Sequence, residues 1–215
     1  MIKKTLKNIC LSPKKHLKLF LGRIFFYSKI ESLTKKFKIK QITKDKIEII
    51  YYFSEDIEEL DNLDKLIYNL TILAEEYSLL ILTREQKASK LFKKRLFKVL
   101  FVKRLNDLLG IYNIVNPKII IYTGNNYKNF QSLIYNNAIH LYLNNSLKTI
   151  ISNNQIKGYD FILIENKKEM DKIIKNIIRI KRDRFILIDN DRQKLITAIA
   201  RLMEFRDLEI ENKGA

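Results

Sequence analysis

The 215-residue sequence has very little cysteine, glycine or proline, with one Cys, five Gly and two Pro. The lone Cys10 excludes a disulfide framework and a cysteine-based zinc site, because both need several sulfurs at set spacings. Neither G-x-G-x-x-G nor G-x-x-x-x-G-K-[ST], the two phosphate-binding fingerprints, occurs in it. We therefore expect a cytoplasmic protein with no metal and no cofactor.

Histidine is also scarce, so the sequence offers few residues for general acid–base catalysis. His16 lies in a basic N-terminal segment, and His140 lies inside a predicted strand. A strand histidine is more often a structural residue than a catalyst. There is no Ser–His–Asp, H-E-x-x-H or zinc-ligand pattern. The catalytic candidates are therefore His140 and Asp160, both weak.

The sequence has 41 basic and 24 acidic residues, and the excess of positive charge is concentrated at one end. Residues 1–46 carry a net charge of +12 out of a total of +17. Lysine outnumbers arginine by 31 to 10. Proteins that recognise nucleic acids favour arginine, because its guanidinium makes bidentate hydrogen bonds. A Lys-, Ile- and Asn-rich composition is also what an AT-rich genome encodes, so codon bias is an alternative source of the charge.

The segment from His16 to Ile30 mixes basic and large apolar residues. This pattern is typical of a helix that lies in a membrane interface with its cations on anionic headgroups. Lys18 and Arg23 interrupt any run long enough to span a bilayer. A solvated basic helix packed on the following domain is the alternative. The side chains predicted to face the membrane are Lys14, Lys15, Lys18, Phe20, Arg23, Phe25 and Phe26.

From residue 47 onward, short apolar runs alternate with helical patterns, which predicts a second domain over 47–215. Lys46–Phe53 and Lys118–Thr123 are rich in β-branched and aromatic residues, as strands buried on both faces of a parallel sheet are. Helical periodicity follows most of the strand candidates, which indicates right-handed βαβ crossovers. We predict an α/β fold, a three-layer Rossmann-like domain with a mostly parallel sheet, preceded by the basic arm 1–46.

In such sheets ligands bind beyond the carboxyl ends of the strands, where the strand order reverses. The predicted edge carries Ser54, Thr83, Thr123–Asn126, Asn144–Lys148 and the loop after Ile164. The two Asn-rich loops are the best candidate site, because amides can orient polyols or phosphates. An Asn loop that merely closes a turn is an equal alternative.

The stretch Pro117–Asp160 resembles the CDP-glycerol glycerophosphotransferase family, the teichoic-acid polymerases. The similarity consists of an Asn-Asn turn followed by K-N-F-Q, then an I-H strand, then a motif ending in Y-D. The matching residues are Asn125, Asn126, Lys128, Asn129, Phe130, Gln131, Ile139, His140, Asn154, Gln155, Lys157, Tyr159 and Asp160. With the strand–helix order upstream, the resemblance covers about residues 47 to 190 and implies the family's first, acceptor-side Rossmann-like domain.

The sequence departs from the family where the family has its catalytic histidine. The family places His-Gly-Glu-Ser-Asp before a lysine, whereas this chain has Asn145-Ser146-Leu147 before Lys148. Asparagine cannot deprotonate an acceptor hydroxyl. The chain also ends where the family's donor-binding domain would begin. We therefore expect it to be inactive alone. The resemblance implies ligand-binding roles for Asn125, Asn126, Lys128, Asn129, Gln131, Asn145, Ser146, Lys148, Asn154 and Gln155.

The resemblance implies a role in cell-envelope polymer synthesis, at the inner face of the cytoplasmic membrane. The expected partners are an anionic membrane surface and a separately encoded donor-binding domain. One alternative is a compact active glycerophospho- or glycosyltransferase that uses His140 or Asp160 as its base. A second alternative is a basic nucleic-acid-binding protein.

Overall fold

The structure is a computed structural model that describes residues 46–55, 57, 62–123, 129, 132–135, 137–143, 156, 158–176, 180–189 and 191–214. The basic arm, with all seven residues predicted to face a membrane, lies outside the described residues. The arm and its boundary with the following domain therefore stay predictions.

Seven parallel strands form one sheet in the order β3-β2-β1-β4-β5-β6-β7. Every residue of the central strands β1 and β4 is buried, because helices cover both faces of the sheet. The strands are β1 (Ile49–Phe53), β2 (Leu79–Thr83), β3 (Val99–Phe101), β4 (Ile119–Tyr122), β5 (Ile139–Leu143), β6 (Phe161–Ile164) and β7 (Phe185–Leu187).

The described helices divide between the two faces. Buried side chains of α1, α2 and α5 join one apolar cluster with alternate residues of the strands, and the buried side chains of α3 lie outside it. A right-handed crossover from the edge strand β3 to the central strand β4 requires α3 on the other face. The helices are α1 (Leu63–Glu76), α2 (Gln86–Lys94), α3 (Leu105–Val115), α4 (Lys167–Asn176) and α5 (Arg192–Gly214).

Helix α2 shows how local sequence fixes an element. A carboxylate oxygen of Glu85 accepts a hydrogen bond from the Ala88 amide and caps the amino end. At the other end, Leu96 is left-handed (φ 65°), and the amide of Phe97 donates to the carbonyl of Phe92 at 3.2 Å. This is a Schellman termination with the expected contact between the two aromatic rings, whose centroids are 6.2 Å apart.

The predicted three-layer, parallel, Rossmann-like fold is confirmed. The third strand is short, covering only Val99–Phe101, and the last helix is long, extending from Arg192 to Gly214. Helix α1 begins at Leu63, and Asp64 supplies the acid of its first turn. Among the described residues, no helix is long and apolar enough to cross a membrane.

Candidate functional site

The carboxyl ends of β1 and β4 form the point where the chain reverses its direction across the sheet. From β1 the chain crosses toward β2 and β3, and after β4 it proceeds the other way to β5, β6 and β7. In open parallel sheets, the ligand crevice lies beyond the strand ends at such a reversal point. Ser54 follows β1 and Thr123 follows β4, so both lie at the floor of this crevice.

A buried amide ties the two strand ends together. The side-chain hydroxyl of Ser54 donates to Oδ1 of Asn129 at 2.6 Å, and Nδ2 of Asn129 donates to the carbonyl of Thr123 at 3.0 Å. All three residues are buried. The hydroxyls of Tyr51 in β1 and Thr123 after β4 also hydrogen bond to each other. The floor is therefore built from hydroxyl and amide groups.

The charge of one acidic side chain acts on three buried tyrosines. Burial raises the pKa of the Tyr51, Tyr142 and Tyr159 hydroxyls, and the negative charge of Glu55 adds to each rise. A hydrogen bond to Asn129 partly offsets the rise in the pKa of Tyr159. These phenols stay protonated at neutral pH, so they act as neutral hydrogen-bonding groups.

A lysine from α1 crosses the carboxyl edge to reach the end of β6. The ammonium of Lys65 forms an ion pair with Glu165, the residue after β6, and both side chains are largely covered. Glu169 in the first turn of α4 adds a second negative charge that acts on Lys65. Oε2 of Glu169 is buried and has no hydrogen-bond partner in the part of the chain that the structure describes.

Burial shifts the pKa values of this pair in opposite directions. It lowers the pKa of the Lys65 ammonium, and the charge of Glu169 partly restores it. It also raises the pKa of the Glu169 carboxyl above 4.5, against the opposing effects of Lys65 and Lys172. Desolvation is the larger effect for both groups, so both are charged at some electrostatic cost.

Of the ligand-binding residues that the resemblance implies, one lies among the described residues. Asn129 lies in the crevice, where its side chain is already bonded to both strand ends. The others lie outside the described residues, so their roles stay predictions: Asn125, Asn126, Lys128, Gln131, Asn145, Ser146, Lys148, Asn154 and Gln155.

The two catalytic candidates lie at the opposite edge of the sheet. His140 is the second residue of β5, and Asp160 comes just before β6, so both are near the amino ends of their strands. The backbone amide of His140 donates to Oδ2 of Asp160 at 2.8 Å, and the Asp160 amide donates to the His140 carbonyl at 2.8 Å. This reciprocal pair holds β5 against β6.

Both nitrogens of the His140 ring are occupied. Nε2 faces the carbonyl of Tyr135, which can only accept, so Nε2 carries the proton. Nδ1 then accepts from the Tyr122 hydroxyl at 2.8 Å. Burial lowers the pKa of this imidazole, although the Tyr135 carbonyl and Asp160 oppose the shift. The geometry gives His140 a structural role and leaves it no access to the crevice.

Sequence reasoning missed Lys65, Glu165 and Glu169. The loop after Ile164 was placed at the correct edge, but its acids were not singled out. The spacing Asn166-x-x-Glu169 is that of a helix-capping box, and this spacing favours a structural interpretation of the glutamate. Lys65 sits within a helical pattern that gives no sign of its reach across the edge. No group of three or more His, Cys, Asp or Glu suited to a metal ion occurs among the described residues.

No family model matches the chain, and no curated protein is significantly similar to it. Three solved structures share the Rossmann-like arrangement at low identity. One, described as a UDP-N-acetylglucosamine 2-epimerase from Listeria monocytogenes, has a TM-score of 0.47 and 10% identity over 66% of this chain and 45% of its own. The chain thus spans less than half of that protein.

The other two neighbours are small single domains. The TrkA-N domain of the inner membrane protein ybaL from Escherichia coli has a TM-score of 0.41 and 8% identity, over 63% of this chain and 99% of its own. A de novo designed Rossmann 3x3 protein has a TM-score of 0.34 and 11% identity, over 63% and 98%.

Proposed function

We propose that the chain is a Rossmann-like, acceptor-side relative of the CDP-glycerol glycerophosphotransferases. In this proposal it holds a polyol-phosphate acceptor for a separately encoded donor-binding domain and does not catalyse transfer alone. The observation that carries the proposal is the crevice between β1 and β4, whose floor is made of the hydroxyl and amide groups of Ser54, Thr123 and Asn129. Such groups match the alternating donors and acceptors of a polyol.

The described residues of the family-like motif support the resemblance through their positions. Asn129 joins the ends of β1 and β4, and His140 with Asp160 joins β5 to β6. The motif therefore includes residues that build the strand arrangement around the crevice. A motif with this framework role is what a shared acceptor-side fold would retain.

The position of His140 supports the expectation of inactivity. A general base must reach the proton that it removes, directly or through one water. His140 is buried at the amino edge with both ring nitrogens bonded, so it cannot serve a ligand at the carboxyl edge. His140 is therefore not available as the base in the compact-transferase alternative. Its other proposed base, Asp160, lies at the same distant edge, where it accepts a hydrogen bond from the His140 amide.

The proposed setting is cell-envelope polymer synthesis at the inner membrane face. The net charge of +12 in residues 1–46 supports an anionic membrane surface as one partner. Vesicle flotation with anionic lipid tests this, by comparing the full chain with one that starts at Asp45. Equal flotation of the two proteins would reject the membrane role of the arm.

Binding is tested by NMR titration of the full chain with glycerophosphoglycerol, a phosphodiester of two glycerols. We expect shifts at Ser54 and Thr123, and affinity about tenfold weaker in Thr123→Val, which loses a crevice hydroxyl. Thr83→Val is the matched control, because Thr83 is an equally buried threonine at the end of β2, away from the crevice. Absence of shifts at the crevice would overturn the proposal.

Catalysis is tested separately by incubating the chain with CDP-glycerol and the same acceptor. We expect no release of CMP. Turnover by the purified chain would overturn the expectation of inactivity and establish the compact transferase instead.

A further inference from the structure

A groove lies beside α5 where the sheet ends at β7. It has a volume of about 530 Å³ and is lined by the side of α5 that carries Phe205 and by Phe161, Ile186 and Leu187 of the last two strands. Leu187 and Phe205 are 37% and 49% exposed, and Leu208, one helical turn beyond Phe205, is 59% exposed. Large apolar side chains that adjoin one groove mark a surface that a partner can cover.

The charged side chains of α5 fall into two groups. Contacts within the described part of the chain hold the first group, which consists of Arg192, Lys194, Arg206, Asp207 and Glu209. The side chains of Arg201, Glu204 and Glu211 are exposed and form no ion pair or hydrogen bond among the described residues. The fold therefore uses the first group, and the second group is left for solvent or for another molecule.

The charges of the second group lie on one largely exposed stripe of α5. Its members follow one another at alternating intervals of three and four residues, which keeps them on one side of a helix. The stripe is about 26 Å long, given a rise of about 1.5 Å per residue. It is basic in its amino half and acidic in its carboxyl half, and it consists of Lys194, Thr197, Arg201, Glu204, Leu208 and Glu211.

This order of charges complements itself when a second copy of α5 runs in the opposite direction. A twofold axis midway between Arg201 and Glu204 places the Arg201 of each copy opposite the Glu204 of the other. The same axis places Lys194, which pairs with its own Asp189 at 2.5 Å, opposite Glu211. A parallel pair would place each charge opposite its own kind, which is unfavourable. The stripe therefore fits a second copy of the chain and fixes its direction.

We propose that the chain forms a twofold symmetric homodimer in which the two α5 helices pack antiparallel along this stripe. The twofold axis brings the groove sides of both helices together, so Phe205 of each copy packs against the groove of the other. Burial of Phe205, Leu187 and Leu208 supplies most of the driving force. The exposed charge pairs set the register and the direction of the helices. This inference goes beyond the proposed function and does not depend on it.

Sedimentation equilibrium of the full chain tests the dimer. We expect the mass of two chains at about 100 μM and of one chain at about 1 μM, because a contact through one helix and an edge strand is small. Phe205→Ser removes an aromatic ring from the groove and should weaken association about tenfold, which measures the apolar contribution.

The charge pairs are tested by reversing them singly and together. Arg201→Glu opposes two acids at both symmetric contacts, and Glu204→Arg opposes two cations, so each variant should associate about tenfold more weakly. The double variant Arg201→Glu/Glu204→Arg exchanges the two charges within one helix and keeps the net charge of the wild type. It restores opposite charges across the axis, so it should dimerise as the wild type does.

Lys90→Glu is the matched control, because it changes the net charge as Arg201→Glu does but lies on α2, beside the opposite edge strand. It should keep the wild-type association, and circular dichroism of each variant reports that it is folded. A wild type that stays a monomer at about 100 μM overturns the inference, and the groove would then take an occupant other than a second copy. Equal association of wild type and the single charge variants, or a double variant that fails to recover, also overturns it.

Discussion

The two edges of the sheet differ in the polar contacts that the described residues make there. At the amino edge, Arg206 donates to the carbonyl of Asn137 at 2.6 Å, and Arg184 donates to the carbonyls of Ile156 and Asp160. Lys118 at the start of β4 pairs with Asp207 of α5 at 2.7 Å. Basic side chains thus cover the exposed carbonyls and carboxylates that precede the strands.

At the carboxyl edge, some of the described charged groups are partly desolvated. Burial lowers the pKa of Lys65 and raises that of Glu169, and an oxygen of Glu169 is left without a described partner. The described contacts of the amino edge stabilise the fold, whereas burial at the carboxyl edge disfavours the charges of Lys65 and Glu169.

The largest effect is expected from His140→Leu at the amino edge. The substitution removes one partner of the Tyr122 hydroxyl and leaves the buried Tyr135 carbonyl without its side-chain donor, so the free energy of unfolding should fall by about 3 kcal/mol. Urea unfolding followed by circular dichroism measures it. The control Asn113→Leu alters an exposed position of α3 and should change stability by no more than about 0.5 kcal/mol. An equally small loss in His140→Leu would remove the structural role assigned to His140.

A smaller effect is expected from Asn129→Ala at the carboxyl edge. Ser54 and the Thr123 carbonyl each lose a hydrogen bond, but water can enter the crevice and partly replace the amide, so unfolding should become about 1.5 kcal/mol easier. The same urea assay measures this loss, with Asn113→Ala as the control. If Asn129→Ala cost more than His140→Leu, the contrast between the edges would be reversed.

The fold was predictable because its strands have recognisable local sequence patterns. Lys118–Thr123 is an uninterrupted apolar run, and the structure places β4 within it as a fully buried strand. The bounds of α5 were harder to predict. Its second half exposes Phe205, Leu208 and Ile210, so the apolar pattern that marks a buried helix face fades there.

The site was less predictable, because its chemistry depends on contacts between distant parts of the sequence. The sequence correctly indicated which loops follow the strands, and so which edge carries Ser54 and Thr123. It could not show that Lys65 reaches Glu165, a hundred residues away, or that an oxygen of Glu169 is buried. Desolvation arises only from tertiary burial, so no local pattern reports it.

The smallest effect concerns how the two edges respond to pH. Since the pKa of Glu169 is raised, the folded protein binds more protons than the unfolded chain above pH 4.5, and this group lowers stability as the pH rises. His140 has the opposite sign. Because its pKa is lowered, the unfolded chain binds more protons just below pH 6.5, so stability is lost as the pH falls through that value.

Glu169→Gln removes only the carboxyl-edge contribution. Its unfolding free energy should match wild type at about pH 4 and exceed it at about pH 8, while the loss of stability on acidification due to His140 remains in both proteins. Urea unfolding across this range measures the difference. The control is Asp171→Asn, which should follow wild type, because Asp171 is a half-exposed acid on the same helix that pairs with Arg182. A Glu169→Gln variant less stable than wild type at the higher pH would show that the carboxylate is satisfied, and the two edges would no longer differ in kind.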